Sequence, residues 1–181
     1  MLLHLLRHAH AVAESENPRR PLSTRGLGEL ARLARFLKPT ACFRPTQVWH
    51  SPLMRSAQTA EVIVAHLGLD VVRVETPGLL PEDAPEIMAE RLAEFPPHFE
   101  LALVGHEPHL SALASLLVRG KAAPDLFELK KSALLTLEPS RRMHKNSGHP
   151  RWRVRWQVSP ELLIPLVMPL AAVADTNLKT P

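Results

Sequence analysis

The sequence predicts an α/β protein of three layers, helix, sheet and helix, whose mostly parallel sheet carries an antiparallel hairpin at one edge. Three observations predict it. Short apolar runs alternate with amphipathic stretches of helical period as far as Gly120, the pattern of parallel strands joined by crossover helices. Three of those runs end in a basic or imidazole side chain. Towards the C-terminal end, two strand-like segments joined by a polar connection supply the antiparallel edge.

The elements follow in order. Leu2, Leu3, Leu5 and Leu6 form a near-continuous apolar run, expected of a strand covered on both faces, with Arg7 and His8 at its end. In α/β sheets ligands bind in the crevice beyond the carboxyl ends of the strands, although a strand that simply reached the surface would also end in polar residues. After the polar loop AVAESENPRRPLS, Ser23 or Thr24 can cap a helix with Leu30, Leu33, Ala34 and Leu37 on one face, ended by Pro39. Gln47 to His50 reads as a second strand. Ser51 then reads as a hydroxyl N-cap, with Pro52 at the first helical position. Leu53, Ala57, Ala60, Val64 and Leu67 share a face of that helix, and Gly68 stops it. Arg55 falls in its first turn, among backbone N–H groups that favour an anion; a lone arginine there is ordinarily a solvated side chain.

Val71 to Val74 reads as a brief strand and Ala84 to Glu94 as a helix before Pro96 and Pro97. Leu101 to Val104 is a buried strand, Gly105 allows a tight exit, and His106 lands at the carboxyl end. Pro108 opens a helix with Leu110, Leu113 and Leu117 on one face, stopping near Gly120. Leu134 to Leu137 and Arg153 to Val158 read as antiparallel strands. Trp152, Val154, Trp156 and Val158 alternate with Arg153, Arg155 and Gln157, which predicts a single apolar face. The connection PSRRMHKNSGHP has the composition of a mobile loop. The tail from Pro160 is expected to dock on the body.

Composition agrees with one soluble domain over residues 1–181, with a core of about 1–160 and a tail, 161–181, of no assigned role. No apolar run approaches the roughly 20 residues of a membrane span, and the N-terminus lacks a signal peptide's charged start and cleavage site. The single Cys42 excludes an internal disulfide framework and fits a reducing compartment, so cytoplasm is the expectation. The net charge of +4 permits acidic partners. Nucleic acid is not expected, because the chain has no tyrosine, few other aromatics for base stacking and no nucleic-acid fold signature. The basic residues Arg19, Arg20, Arg25, Lys130 and Lys131 and the run RRMHKNSGHPRWRVR at 141–155 read as a solvated face or, more sharply, some of them as a ring around an anion pocket. Ten histidines invite a metal, but no HExxH, Cys-His set or carboxylate cluster accompanies them, and none is expected. His4 reads as a polar contact within the sheet, and His10 and His109 as residues of a pocket rim.

Arg7-His8-Ala9 after the first strand, SPLMRSAQTA at 51–60 and GHEPHLS at 105–111 together resemble the histidine phosphatase superfamily, which has a phosphoglycerate mutase-like fold. RPLSTRG at 20–26, KKSALLTL at 130–137 and RWQVSPELL at 155–163 are similar to its small SixA-type phosphohistidine phosphatase branch. The resemblance runs from Leu2 to Leu163. The superfamily motif is most often Arg-His-Gly; here Ala9 replaces the glycine, which removes only the option of positive φ.

The resemblance implies a metal-independent phosphatase without a cofactor. His8 would be the nucleophile and become a transient phosphohistidine that water hydrolyses. Attack requires an unprotonated ring nitrogen, so a backbone carbonyl at the strand end is expected to hold the other N–H. Arg7 and Arg55 would clamp phosphate oxygens with permanently charged planar forks, and His106 would donate a further hydrogen bond, preferably as the imidazolium. A phosphate or other oxyanion would occupy the pocket.

Members acting on phosphate monoesters usually carry a carboxylic acid that protonates the leaving alkoxide. Glu82 and Asp83, in LLPEDAPEI, are available as that possible general acid, though both also read as ordinary first-turn acids of a helix. Glu107 is a further candidate. A phosphohistidine substrate needs an acid less, because its imidazole takes a proton from solvent. Three functional readings follow: a phosphohistidine phosphatase acting in signal transduction on a histidine-containing phosphotransfer protein, a small-molecule phosphomonoesterase, and a non-catalytic phosphate-binding module.

Overall fold

A computed structural model describes residues 1–163 apart from residues 97, 124–125 and 145–149. Six strands form one sheet: β1 (Leu2–Arg7), β2 (Gln47–His50), β3 (Val72–Glu75), β4 (Glu100–Gly105), β5 (Leu134–Met143) and β6 (Pro150–Val158). Four helices accompany them: α1 (Thr24–Thr40), α2 (Met54–Leu67), α3 (Pro85–Ala93) and α4 (His109–Arg119). The strand order is β3-β2-β4-β1-β5-β6. The first four run parallel and β5 and β6 antiparallel, as the sequence predicts.

Each face of the sheet has its own core. Leu3 and Leu5 of β1 face α3 and α4, where they pack with Met88, Leu92, Leu110, Leu113 and Leu117. Leu6, on the alternate side, packs with Leu33, Leu37, Ala60 and Ile63 of α1 and α2. This two-sided burial is why β1 and β4 read as unbroken apolar runs rather than alternating ones. His4 lies on the α1 side at 0% exposure, its ring nitrogens 2.8 Å from Thr136 Oγ1 and 2.8 Å from Glu100 Oε1. It is a polar contact within the sheet.

The topology sets the position of the site. β1 and β4 are parallel neighbours, with Arg7 paired to Gly105. Beyond β1 the chain turns to α1 on one face, and beyond β4 it turns to α4 on the other. The two strand ends part at a topological switch point, where a crevice opens in doubly wound sheets.

Local details depart from the sequence reading in four places. Ser23 caps α1, its Oγ accepting from Gly26 N at 3.2 Å, but Pro39 does not end that helix. A proline in the last turn removes one hydrogen bond only, and the chain leaves at Ala41, whose φ is 50°. Ser51 does not cap α2, because Leu53 is the N-cap residue and makes no side-chain cap bond. Residues 139–143 continue β5 rather than forming a loop, while 145–149 of the predicted mobile connection lie outside the described residues. Finally, a register shift between Thr136 and Leu137 pairs them with Trp156 and Val154, leaving Arg155 as the extra residue of a bulge. The bulge reverses which way later side chains point. Trp152 therefore joins the α3/α4 core, Trp156 and Val158 pack on the α1/α2 side, and Val154 is 44% exposed.

Pro160–Leu162 form a 3-10 turn, and Leu163 packs against the α1/α2 core. The rest of the tail expected to dock, 164–181, lies outside the described residues. No helix among the described residues is long and apolar enough to cross a membrane.

Candidate active site

His8 is the first residue beyond β1, and its backbone N–H donates to Gly105 O at 2.9 Å, which fixes it against the end of β4. Its Nδ1 donates to Ala9 O at 2.8 Å. A carbonyl can only accept, so Nδ1 carries the proton and Nε2 presents a lone pair. Arg55 Nε donates to that Nε2 at 3.3 Å. Burial, followed by the positive charges of Arg55, Arg7 and Lys131, lowers the imidazole pKa to about 4, against an upward pull from the Ala9 hydrogen bond. The ring is neutral at pH 7.

Arg55 is the second residue of α2 and is tied to the strand end through its own helix. Thr59 Oγ1 donates to Arg55 O at 2.6 Å and accepts from Ala9 N at 3.0 Å. Burial and the nearby Arg20 lower the Arg55 pKa from its ordinary value, and the guanidinium keeps its charge. Arg7 is held from the other side: Nη1 donates to Leu129 O at 2.7 Å, while its buried Nε has no partner among the described residues. Arg55 thus meets the lone pair of His8, and the charge of Arg7 acts on the same ring.

His106 follows β4, with its ring 4.9 Å from that of His8. Its Nε2 lies 2.8 Å from Ser51 Oγ. Burial, then His8 and Arg55, lowers its pKa to about 3. The imidazolium expected from the sequence is therefore not the resting form, because a buried ring beside two guanidinium groups cannot hold a further positive charge. Ser51 is fully buried, and its backbone N–H donates to Val104 O at 3.1 Å. The serine read as a helix cap thus holds a site histidine. A Ser-Pro pair after a strand satisfies cap chemistry equally well, so the sequence carried no signal to separate the two.

The structure separates the carboxylates. Glu82 is exposed, and Asp83 is engaged locally, its Oδ2 accepting from Leu80 N at 2.7 Å. Neither is among the charges that bear on His8 or His106. Glu107 is different. Its pKa is raised by burial, against the opposing influence of the neighbouring Ser111 and the charge of Arg7, and its Oε1 is buried without a partner among the described residues. His109, the first residue of α4, is 1% exposed and belongs to the interior rather than the rim. His10 does stand at the rim, its Nδ1 2.8 Å from Ser23 Oγ. Thr59 and Ser51 are the site residues that sequence reasoning missed. Lys131 is one of the basic residues read from the sequence as a solvated face or a ring around an anion pocket. Burial, then Arg7, Arg20 and Arg25, lowers its pKa. Among the described residues, no group of three or more His, Cys, Asp or Glu side chains is arranged to hold a metal ion.

Chemically, the crevice offers an unprotonated imidazole nitrogen against the Arg55 guanidinium and within the field of Arg7, with a second neutral imidazole alongside. That arrangement suits a tetrahedral anion approached in line by a nucleophile.

Residues 3–79 match the sequence model of the histidine phosphatase superfamily (branch 1). The chain is similar to the solved structure of the protein histidine phosphatase SixA complexed with tungstate, with a TM-score of 0.75 and 26% identity, covering 91% of this chain and 100% of that one. It shares its fold with the mycobacterial glucosyl-3-phosphoglycerate phosphatase, with a TM-score of 0.63 and 20% identity over 87% of this chain and 99% of that one. It also shares it with a phosphoserine phosphatase mutant from Entamoeba histolytica, with a TM-score of 0.64 and 15% identity over 90% and 99%. No curated protein matches the sequence.

Proposed function

We propose that this chain, which resembles the histidine phosphatase superfamily in sequence over residues 3–79 and SixA in structure, is a phosphate-hydrolysing enzyme of that superfamily whose substrate is phosphohistidine on a protein, of the histidine-containing phosphotransfer type. The observation that carries the reading is the double hold on His8, with Nδ1 donating to Ala9 O and Nε2 facing Arg55 Nε. His8 Nε2 attacks phosphorus, the phosphorus–nitrogen bond to the substrate imidazole breaks, and that imidazole leaves with the electron pair and gains a proton from solvent. Water then attacks the phosphoryl group on His8 and loses a proton. The second phosphorus–nitrogen bond breaks, its electron pair returns to Nε2, and phosphate departs. Arg7 and Arg55 hold the equatorial oxygens, supplying the positive charge for which many phosphoryl-transfer sites use a metal ion. A bound dianion reverses the local sign of charge, so His106 gains a proton and donates to it.

Two features support phosphohistidine over an ester. Glu82 is exposed, Asp83 accepts from Leu80 N, and neither is among the charges that act on His8 or His106. The resemblance to SixA spans nearly the whole chain. Signal transduction in the cytoplasm is the setting such a substrate implies.

A second reading has one observation in its favour. Glu107, whose pKa burial raises and whose buried Oε1 has no partner among the described residues, is the carboxyl group available to protonate an alkoxide, which would make the chain a phosphomonoesterase. The test is side-by-side hydrolysis of a phosphohistidine protein and para-nitrophenyl phosphate in EDTA. Preference for the protein is expected. Preference for the ester, lost in Glu107→Gln, would establish the second reading, and turnover of neither would leave a phosphate-binding module.

A further inference from the structure

Beyond Arg7 and Arg55, two further cations bear on the site: Lys131 acts on His8, and Arg20 acts on Arg55. Arg20 ends the loop after β1, which is closed by Val12 N donating to Pro21 O at 2.9 Å and by the bridge between Ala11 and Leu22. Leu22 N donates to Gln58 Oε1 at 2.8 Å, which fastens the loop to α2 one turn beyond Arg55. Arg20 itself has a φ of 49°, a left-handed conformation uncommon for a non-glycine residue. Its Nε donates to Val12 O at 3.4 Å. The loop spends conformational energy to hold this arginine in place, and such strain clusters at ligand sites.

Lys131 is placed from the opposite side. It precedes Ser132, whose φ is 60° and whose N–H meets the carbonyls of Arg7 and His8 at 3.2 and 3.4 Å. Ser132 Oγ donates to Glu29 Oε2 at 3.1 Å, and Glu29 Oε1 accepts from Arg25 Nε at 2.8 Å. The buried carboxylate of Glu29 is thereby engaged with Arg25 and Ser132. Among the described residues neither Arg20 nor Lys131 forms a salt bridge. Both act on the rim imidazole of His10, and Lys131 acts on His8 as well. Arg20 and Lys131 act on each other as like charges, while the Glu29 carboxylate near Lys131 is already engaged with Arg25 and Ser132, so an anion bound by both would relieve their repulsion.

We propose that Arg20 and Lys131 form a second anion subsite at the pocket mouth, so that the preferred substrate carries a further anionic group, a carboxylate or a second phosphate, beside the phosphoryl group attacked by His8. On the reading above, which this inference deepens, that group is an acidic side chain of the partner protein next to its phosphohistidine. On a small ester it is a carboxylate of the same molecule.

Binding tests the subsite without relying on turnover. Phosphonoacetate and methylphosphonate differ by one carboxylate, and calorimetry on the wild-type protein is expected to show about tenfold tighter binding of the former. In Arg20→Gln/Lys131→Gln, and partly in each single variant, the ratio of the two affinities is expected to fall towards one. Equal binding by the wild type, or a ratio unchanged in the double variant, would overturn the subsite. So would an equal loss of both ligands, which would assign the cations to the phosphoryl group. Kinetics on phosphohistidine peptides with glutamate or glutamine beside the phosphohistidine, and on phenyl phosphate with and without a ring carboxylate, distinguishes the two sources of the charge. If no phosphohistidine substrate turns over while the phosphonate preference holds, the function assigned above fails and the subsite stands.

Discussion

Arg55 Nε and His8 Nε2 lie 3.3 Å apart, a guanidinium donor against an imidazole lone pair, and this contact joins α2 to the end of β1. It holds the nucleophile candidate unprotonated and sets a planar, fixed charge beside it. A lysine cannot do both, since its ammonium is a single point of charge on a flexible stem. Arg55→Lys is therefore expected to lower kcat/KM by about a hundredfold, the scale of losing one transition-state donor. Arg35→Lys, on the exposed side of α1, is expected to change nothing measurable. Steady-state kinetics on both variants checks the contrast, and equal behaviour would remove Arg55 from the chemistry.

Ser51 Oγ holds His106 Nε2 at 2.8 Å in a fully buried position. Ser51→Ala leaves that nitrogen without a partner and frees the ring to turn. A loss of about tenfold in kcat/KM is expected, with Ser51→Thr recovering much of it. If Ser51 served only to start α2, both variants would show lower melting temperatures with kcat/KM unchanged.

The pH dependence has a definite sign. His8 and His106 titrate near 4 and 3 in the folded protein but near 6.5 when unfolded. Between these values the unfolded chain binds more protons, so stability rises with pH from about 4 to about 6.5 and is lost on acidification through that window. Thermal melts from pH 7 to pH 5 are expected to show a falling midpoint, with a flatter slope in His106→Gln. Saturating vanadate is expected to raise the midpoint, and to draw a proton from solution as His106 becomes charged.

Gly26 packs against the loop that carries His10. A methyl group there would stand 2.1 Å from His10 O, a backbone atom that cannot move aside without shifting Ala9 and His8. Gly26→Ala is expected to cost about 1–3 kcal/mol, typical of overpacking. It should also lower activity, whereas Gly28→Ala, with nothing closer than 4.0 Å, should be neutral or stabilising. Denaturant melts and an activity assay on the pair measure this.

Much of this was legible before the fold was known, and the reasons lie in particular residues. A run such as Leu2–Leu6 has one stable destination, the middle of a covered sheet, and Arg7 and His8 then fall at the carboxyl end by arithmetic. Gly105 and His106 follow from Leu101–Val104 in the same way. Arg55 was placed correctly in the first turn of α2 even though the cap was misassigned, because the apolar face of Ala60, Ile63 and Val64 determines the helix whichever residue starts it. The Trp152–Val158 alternation misled, because a bulge in β6 depends on which residue of β5 stands opposite, and a single strand carries no record of its partner.

By itself, then, the sequence determined the strand and helix order, the helix-covered parallel sheet with its antiparallel edge, and the positions of Arg7, His8, Arg55 and His106 at element ends. These are consequences of local period and polarity, which act over a few residues. Only the tertiary structure decided that Ser51 grips His106, that Thr59 links Ala9 to Arg55, that Ala9 O sets the tautomer of His8, and that burial keeps both imidazoles neutral. Hydrogen-bond partners and desolvation depend on which distant segments meet at the parting of β1 and β4, and spacing along one chain does not contain that.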